Sequence, residues 1–159
     1  MPAGTAINNL SDALAIVVKV IESAQREIMF LVPPSVFFIA AASCDTMPRA
    51  RRFMQNGGVM RGITTVSATN VEETRMRLEM GEDLRHSDLH YEIFMIVADR
   101  LQSMSAINIG VREYTHDTPI TAFWSESPVY AEYLLGSFEN AWSQAVPARE
   151  RIQELLRQG

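Results

Sequence analysis

The strongest constraint on the fold is a short apolar run in the middle of the chain that ends on a carboxylate. Residues 93–98 read Ile-Phe-Met-Ile-Val-Ala, and Asp99 follows directly. The run has no alternation of apolar and polar residues, so it predicts a strand covered on both of its faces. Functional side chains often collect at the ends of such strands, and this stretch is therefore the first place to look for chemistry.

The length of the chain, 159 residues, suits one compact domain with a sizeable core. We expect residues 1–10 to form a flexible N-terminal tail and residues 11–159 to form a single domain. No apolar run approaches the roughly 20 residues that span a bilayer, and no basic segment followed by an apolar one opens the sequence. The expectation is a cytoplasmic protein with no membrane partner.

The net charge of −5 argues against a surface built for nucleic-acid phosphates. A local cluster of Arg49, Arg51 and Arg52 is the exception. No aromatic residues are interleaved with these arginines, so the cluster is more typical of a solvated helix face than of a nucleic-acid platform. We therefore expect no direct contact with nucleic acid.

Metal and disulfide chemistry find little support in the sequence. Cys44 is the one cysteine of the chain, which excludes an intrachain disulfide and a cysteine-based zinc site. The histidines, His86, His90 and His116, fit no standard ligand spacing. We expect neither a metal nor another cofactor, and we expect Cys44 to be a buried thiol.

Helical and strand patterns alternate along the chain. We predict helices over residues 11–25, 48–55, 70–80, 128–142 and 148–157, and strands over residues 27–32, 59–66, 84–89, 93–98, 103–110 and 119–126. Residues 36–42 fit a helix or a strand equally well. A strand, a helix and a strand in succession favour a parallel pair with a right-handed crossover, whereas the short link at 100–102 predicts a hairpin. The predicted fold class is α/β, with a mixed, largely parallel sheet flanked by helices.

Local signals mark several helix ends. Ser11 is a good N-cap for the first helix, and Asn70 with Glu73 resembles a capping box. Gly81 should end the helix that follows Asn70. The last long helix should start at Pro128, and its stripe of large apolar residues predicts a core-facing surface. That stripe consists of Tyr130, Tyr133, Leu134, Phe138, Ala141 and Trp142.

Several stretches of the sequence together resemble the motifs of a known fold. They are Ala-Gln-Arg-Glu-Ile at 24–28, Gly-Gly-Val-Met-Arg-Gly-Ile at 57–63, the apolar strand ending at Asp99, Trp-Ser-Glu-Ser-Pro at 124–128 and Phe-Glu-Asn-Ala-Trp at 138–142. With these motifs the chain resembles the phospholipase D-like fold, as used in the effector-binding domains of archaeal TrmB-like transcriptional regulators. The resemblance spans roughly residues 11–156, and its last two motifs are the most specific.

Catalytic members of that superfamily carry His-x-Lys-x-x-x-x-Asp on this strand. The histidine attacks phosphorus, and the lysine stabilises the oxygens of the phosphoryl group. Aligned on Asp99, this chain has Glu92 at the histidine position and Phe94 at the lysine position. A shift that uses His90 as the histidine puts Glu92 at the lysine position and Val97 at the aspartate position. Neither register leaves the motif intact.

The resemblance thus implies a non-catalytic domain for ligand sensing or dimerisation in a transcriptional-regulator-like protein. A downstream Gly-Ser-x-Asn pattern is reduced here to Ser-Ala-Ile-Asn, which ends at Asn108. By the resemblance, we expect a small effector to bind near Glu92, Asp99, Asn108 and Trp124. Two copies are expected to pair as a homodimer, and a DNA-binding protein is a further candidate partner.

Two other functions stay open. A diverged phosphodiesterase would need a different constellation, for which Glu92, Asp99, His90 and His116 are the candidates, although such residues in apolar strands are more often structural. A purely structural interaction module would need no ligand at all. The sequence does not identify an effector.

Overall fold

The computed structural model describes residues 5–33, 46–89, 93–107 and 119–159. In these ranges the strands are β1 (Thr5–Asn9), β2 (Glu27–Leu31), β3 (Val59–Thr64), β4 (Asp83–His86), β5 (Ile93–Ala98), β6 (Gln102–Ile107), β7 (Pro119–Ser125) and β8 (Val146–Pro147). The helices are α1 (Leu10–Ser23), α2 (Thr46–Gln55), α3 (Val71–Met80), α4 (Pro128–Gln144) and α5 (Ala148–Gln158). The strands form one sheet in the order β1-β7-β6-β5-β2-β3-β4-β8. Residues 36–42, whose state the sequence left open, and Cys44 lie outside the described ranges.

The sheet is mixed and flanked by helices, which confirms the predicted α/β class. Its proportion of parallel to antiparallel strand pairs differs from the prediction. Of the pairings between described strands, β2–β3 and β3–β4 are parallel and the other five are antiparallel. The expectation of a largely parallel sheet was wrong. Parallel neighbours need a crossover, which α2 and α3 supply, whereas the short link after β5 can join only an antiparallel pair. The predicted hairpin of β5 and β6 and the parallel pair of β2 and β3 are both confirmed.

Strand β5 is covered on both of its faces, as its unbroken apolar run predicted. Phe94, Ile96 and Ala98 belong to a core cluster shared with α1, α2 and α5. Met95 and Val97 belong to a second cluster, which α4 covers with Leu134, Leu135, Phe138 and Trp142. Side chains alternate across a strand, so one six-residue element contributes to two cores.

Helix α4 is attached to the sheet through Trp142. The guanidinium of Arg85 lies 4.1 Å from the centroid of the Trp142 ring and donates a 2.8 Å hydrogen bond to the Trp142 carbonyl oxygen. The guanidinium of Arg61 lies 5.3 Å from the same ring and pairs with Glu139 at 3.2 Å. Cation–π contacts of this kind contribute roughly 0.5–2 kcal/mol each. These two arginines of β3 and β4 therefore hold the last long helix in place.

Gly62 of β3 is required by the packing of a phenylalanine. A Cβ atom at this position would lie 2.1 Å from Cζ of Phe30, which projects from the neighbouring strand β2. A glycine inside a strand often marks such a close approach. The ring of Phe30 thus occupies the space that a side chain on β3 would otherwise fill.

The described part of the predicted N-terminal tail, residues 5–10, has regular secondary structure. Residues Thr5–Asn9 form β1, which pairs antiparallel with β7 and buries Ile7. Asn9 ends the strand and caps α1, because its Oδ1 accepts a 2.8 Å hydrogen bond from the N–H of Asp12. The helix therefore begins at Leu10 and its cap is Asn9, two residues before the predicted Ser11.

Helix α3 begins after Asn70 and ends at Gly81 as predicted, but the side chain of Asn70 does not cap it. Gly81 has φ of 110° and closes the helix in the left-handed conformation that glycine adopts freely. Asn70 makes no capping hydrogen bond with its side chain, so the predicted capping box was wrong. Its Oδ1 instead accepts from the N–H of Ser67 at 2.9 Å, and its Nδ2 donates to the carbonyl oxygen of Thr65 at 2.8 Å. The Asn70 side chain is used to fold the loop after β3.

Among the helices in the described residues, none combines the length and the apolar character needed to cross a membrane.

Candidate functional site

Asp99 binds the start of strand β2 through three backbone N–H groups. Its Oδ1 accepts from Arg26 at 2.8 Å and from Glu27 at 3.0 Å, and its Oδ2 accepts from Gln25 at 2.8 Å. Desolvation raises the pKa of Asp99, but the three N–H groups favour the ionised form more strongly, so the pKa lies below its ordinary value. The carboxylate therefore anchors the turn after β5 to β2.

That turn has an unusual backbone. Asp99 and Arg100 have φ of 54° and 59°, and the N–H of Leu101 donates to the carbonyl oxygen of Ala98 at 3.0 Å. Two successive residues with positive φ are typical of the tight turns that match the twist of a hairpin. Neither residue is glycine, so the turn is strained, and the bonds from Asp99 to β2 offset that strain.

Phe94, which the alignment on Asp99 matched to the lysine of the catalytic motif, lines an apolar cavity. Its side chain is 8% exposed and lines a cavity of about 50 Å³ beneath α1 and α2, together with Phe30, Val32 and Ile96. Arg77 and Thr46 are among the residues at its wall. Phenylalanine has no donor for a phosphoryl oxygen, so this position offers a packing surface in place of a cation.

The positive charge nearest this cavity is already paired. Nε of Arg77 lies 2.9 Å from Glu73, and its Nη1 lies 3.1 Å from the buried carboxylate of Glu82. Burial raises the pKa of Glu82, and the attraction of Arg77 offsets only part of that rise. These three side chains form a buried ionic group that links α3 to the residue before β4.

A polar region lies at the carboxyl ends of β3 and β4. His86 is 4% exposed, and its Nδ1 accepts a 2.9 Å hydrogen bond from the N–H of Val66. The proton of the neutral ring is therefore on Nε2, which donates to Asp88 at 2.9 Å. Because both ring nitrogens are occupied, His86 holds two loops together. Within the described residues, no three His, Cys, Asp or Glu side chains are grouped so that they could hold a metal ion.

The ligand-binding residues predicted from the resemblance are only partly within the described ranges. Trp124 is half-buried on β7 and packs against the first core cluster. It pairs with Met104, which lies near the start of β6 and close to the turn that carries Asp99. Glu92 and Asn108 lie outside the described residues, as do His90 and His116. A ligand contact at any of the four predicted residues stays a prediction.

An exposed aromatic surface lies where α4 meets β7. It is formed by Phe123, Val129, Tyr130 and Tyr133. The rings of Phe123 and Tyr130 meet edge to face with centroids 5.5 Å apart, and those of Tyr130 and Tyr133 are stacked at 6.2 Å. The hydroxyl of Tyr130 is 2.8 Å from that of Ser105. Tyr133 belongs to the stripe on α4 that was predicted to face the core, but it is 71% exposed, and its neighbour Val129 is 81% exposed. The other large residues of that stripe beyond Tyr130 are buried as predicted, namely Leu134, Phe138, Ala141 and Trp142.

A cleft between α1 and α2 collects part of the arginine cluster. It measures about 310 Å³, and Arg49, Arg52, Gln25, Asn56 and Phe53 are among its lining residues. The sequence did not single out this cleft, because its two walls come from helices separated by β2. The spacing of Arg49, Arg52, Phe53 and Asn56 along one helix face was its visible signal.

The mixed sheet with helices on both faces has the phospholipase D-like fold, as its similarity to solved members of that family shows. No protein-family model matches the sequence, and neither does any curated protein. Many solved structures are similar, among them the following three. TrmBL2, described as an archaeal chromatin protein with a novel mode of DNA binding, matches with a TM-score of 0.71 at 15% identity. The match covers 92% of this chain and 54% of the TrmBL2 chain, so this chain spans about half of its length.

The other two structures match over nearly their whole length. The phospholipase D family member Nuc from Salmonella typhimurium has a TM-score of 0.68 at 15% identity, covering 90% of this chain and 97% of its own. NucT from Helicobacter pylori has a TM-score of 0.68 at 10% identity, covering 91% and 98%. At these identities the likeness concerns the fold alone. The predicted resemblance to a phospholipase D-like fold is confirmed.

Proposed function

We propose that this chain is a non-catalytic binding domain, which senses a small ligand and pairs with a second copy of itself in a regulator-like protein. The observation that carries the proposal is the side chain of Phe94. Where the catalytic motif of the fold has a lysine, this chain has a buried phenyl ring in an apolar cavity. A phosphoryl group placed there would lose its water and gain no cation.

The other charged groups near β5 support the same proposal. Arg77, which lines the same cavity, is committed to Glu73 and Glu82. Asp99 uses its carboxylate to hold the start of β2. Each group thus stabilises the fold, which is the expected state of a scaffold that retains its shape without its chemistry.

The regulatory setting is supported by the likeness to TrmBL2, which is described as binding DNA. This chain has a net charge of −5, so a direct contact with DNA would start from repulsion. We propose that a separate DNA-binding protein makes any such contact and that this domain supplies the response to a ligand.

A hydrolysis assay and a thermal-shift screen test the proposal together. With bis-p-nitrophenyl phosphate, we expect the rate for the wild-type chain to equal the buffer rate. In the screen, we expect at least one sugar, nucleotide or metabolite to raise the melting temperature, because a ligand bound only by the folded state stabilises it. Hydrolysis that disappears in the Glu92→Ala variant, with no stabilising compound, would establish the diverged phosphodiesterase instead.

The proposed dimer contact is the exposed aromatic surface. Ile107 lies on the same face of the sheet as Phe123, at 52% exposure, and extends the apolar area. Beside the aromatic surface, Arg100 and Glu132 form an ion pair of 2.9 Å. In a two-fold arrangement, each copy would offer both signs of charge next to its apolar patch, so Arg100 of one copy can meet Glu132 of the other. This self-complementarity favours a second copy as the occupant.

Sedimentation equilibrium tests the dimer. We expect Tyr133→Arg to weaken self-association by roughly 30-fold or more, as for the loss of a central aromatic anchor. Leu156→Arg is the matched control, because Leu156 is 61% exposed on α5, outside the aromatic surface. A wild-type chain that stays monomeric, or equal weakening by both variants, would contradict the proposed contact.

A further inference from the structure

The cleft between α1 and α2 has the composition of a binding site. Residues 49, 52, 53 and 56 recur at helical spacing, so they share one side of α2 and its C-terminal end, and that side faces α1. Phe53, 8% exposed, and Ile21 supply apolar lining. The volume of about 310 Å³ is at the lower end of the range for small-molecule sites.

The two arginines of the cleft differ in their partners. Arg49 forms an ion pair with Glu22 across the cleft, so the charge of that acid is already matched. Arg52 is exposed, and within the described residues its guanidinium has no ion pair and no hydrogen bond. It therefore leaves one positive charge in the cleft without a counter-charge from these residues, and its planar group suits two-point binding of a carboxylate or a phosphate.

Polar side chains next to Arg52 complete the donor set. The backbone N–H of Gln25 is held by Asp99, and that of Asn56 by the carbonyl oxygen of Arg52, so both residues are fixed through their main chains. Both residues line the cleft, and a side-chain amide of this kind can donate to an anionic oxygen. A guanidinium, two amides and an apolar wall match a ligand that has an anionic group on an apolar body.

We propose that the α1–α2 cleft binds a small organic anion, with the carboxylate or phosphate on Arg52 and the apolar part against Phe53 and Ile21. The inference rests on the proposed sensing function and gives it a site and a ligand class. Of the residues that the resemblance suggested, Asp99 and Trp124 are described and neither lines this cleft, although Asp99 holds the backbone N–H of Gln25, which does. The paired Glu22 and the limited volume favour a small molecule over a polyanion such as a nucleic acid.

Phenyl phosphate is the probe, and isothermal titration calorimetry on the full chain is the measurement. We expect it to bind the wild-type chain more tightly than either inorganic phosphate, which lacks the apolar part, or phenol, which lacks the charge. We expect Arg52→Gln to weaken binding about tenfold or more, because a charge-assisted hydrogen bond is removed. Arg52→Lys keeps the charge but not the planar guanidinium, so its affinity for phenyl phosphate should lie between those of the wild-type chain and Arg52→Gln.

Arg51→Gln is the matched control. Arg51 is adjacent in sequence and also exposed, but it lines a different cleft, with Gln55 and Glu79. The control loses the same formal charge, and we expect its affinity to equal that of the wild-type chain. Equal weakening in both variants would mean that only the net charge matters and would overturn the site.

The failure of the site can be told apart from the failure of the sensing function. If a compound from the thermal-shift screen stabilises the wild-type chain and Arg52→Gln equally, and phenyl phosphate does not bind, the chain is a sensor and the site is wrong. If neither phenyl phosphate nor any screened compound binds, both proposals fall.

Discussion

Replacement of Asp99 by alanine should destabilise the fold more than its partly solvated position suggests. The substitution removes the acceptor of three backbone N–H groups, those of Gln25, Arg26 and Glu27. It also places a residue with a poor left-handed propensity at φ of 54°. The hydrogen-bonding role and the backbone role can be separated with two further variants, Asp99→Gly and Asp99→Asn.

The magnitude follows from these two roles. Because water can partly replace the carboxylate, we assign about 0.7 kcal/mol to each of the three hydrogen bonds, toward the low end for such bonds. The left-handed backbone adds about 1 kcal/mol for alanine, so the total for Asp99→Ala is about 3 kcal/mol. Asp99→Gly should cost about 2 kcal/mol. Asp99→Asn should cost the least, since asparagine tolerates the backbone and keeps one acceptor oxygen.

Urea unfolding at pH 7 measures the free energy of unfolding of each variant, and a thermal melt should show a loss of roughly 6–12 °C for Asp99→Ala. The pKa of Asp99 is lowered in the fold, so its contribution is present at neutral pH. That contribution is lost as the pH falls below the ordinary value of 3.8 and through the lowered folded value. A cost under about 0.5 kcal/mol for Asp99→Ala at pH 7 would refute the anchoring role.

Two further predictions concern buried groups and use the same unfolding assay. Arg77→Leu should cost about 3–5 kcal/mol because it leaves the buried carboxylate of Glu82 without its guanidinium, whereas Glu82→Gln should cost less. Burial raises the pKa of Glu82, so its contribution to stability is lost as the pH rises above the ordinary value of 4.5 and through the raised pKa, and the cost of Arg77→Leu should shrink as the pH is lowered; a cost independent of pH would argue against this. Gly62→Ala should cost about 1–3 kcal/mol because its Cβ meets the ring of Phe30, and Phe30→Leu in the same chain should recover part of it; fully additive costs would contradict that contact.

The sequence predicted correctly those helices and strands whose bounds are set by residues close by in the chain. The apolar run of β5, the glycine that ends α3 and the proline that opens α4 each act within a few residues, and the corresponding elements are where they were expected. The strand at Thr5–Asn9 was not predicted, because its stability as a strand comes from pairing with β7, which is distant in the sequence. The prediction that Tyr133 faces the core was wrong for a related reason. The spacing of Tyr133 on α4 is that of a core residue, but the described sheet and helices do not cover it.

The features of the candidate site likewise include some that the sequence predicted and some that it did not. The mismatch between this chain and the catalytic motif could be predicted from the sequence, since the residues compared, Phe94 among them, lie on one continuous stretch. The use of Asp99 as an acceptor for residues 25–27 was not visible, because it depends on the antiparallel pairing of β5 with β2. The cleft at Arg52 needed the packing of two helices, which no short-range pattern encodes. Contacts between distant parts of the chain therefore had to be read from the structure, whereas patterns within one element were visible in the sequence.

The pairing of β1 with β7 has a consequence for the order of folding. Thr5 lies opposite Trp124, so this edge of the sheet can close only after most of the chain is available. Closing so long a loop carries a large entropic cost before any contact offsets it, and contacts between distant residues slow folding. We expect the β2–β3–β4 unit, which is contiguous in sequence, to form early and β1 to dock late. During synthesis, β1 and the following helix α1 would then be available long before β7, the strand with which β1 pairs, has been made.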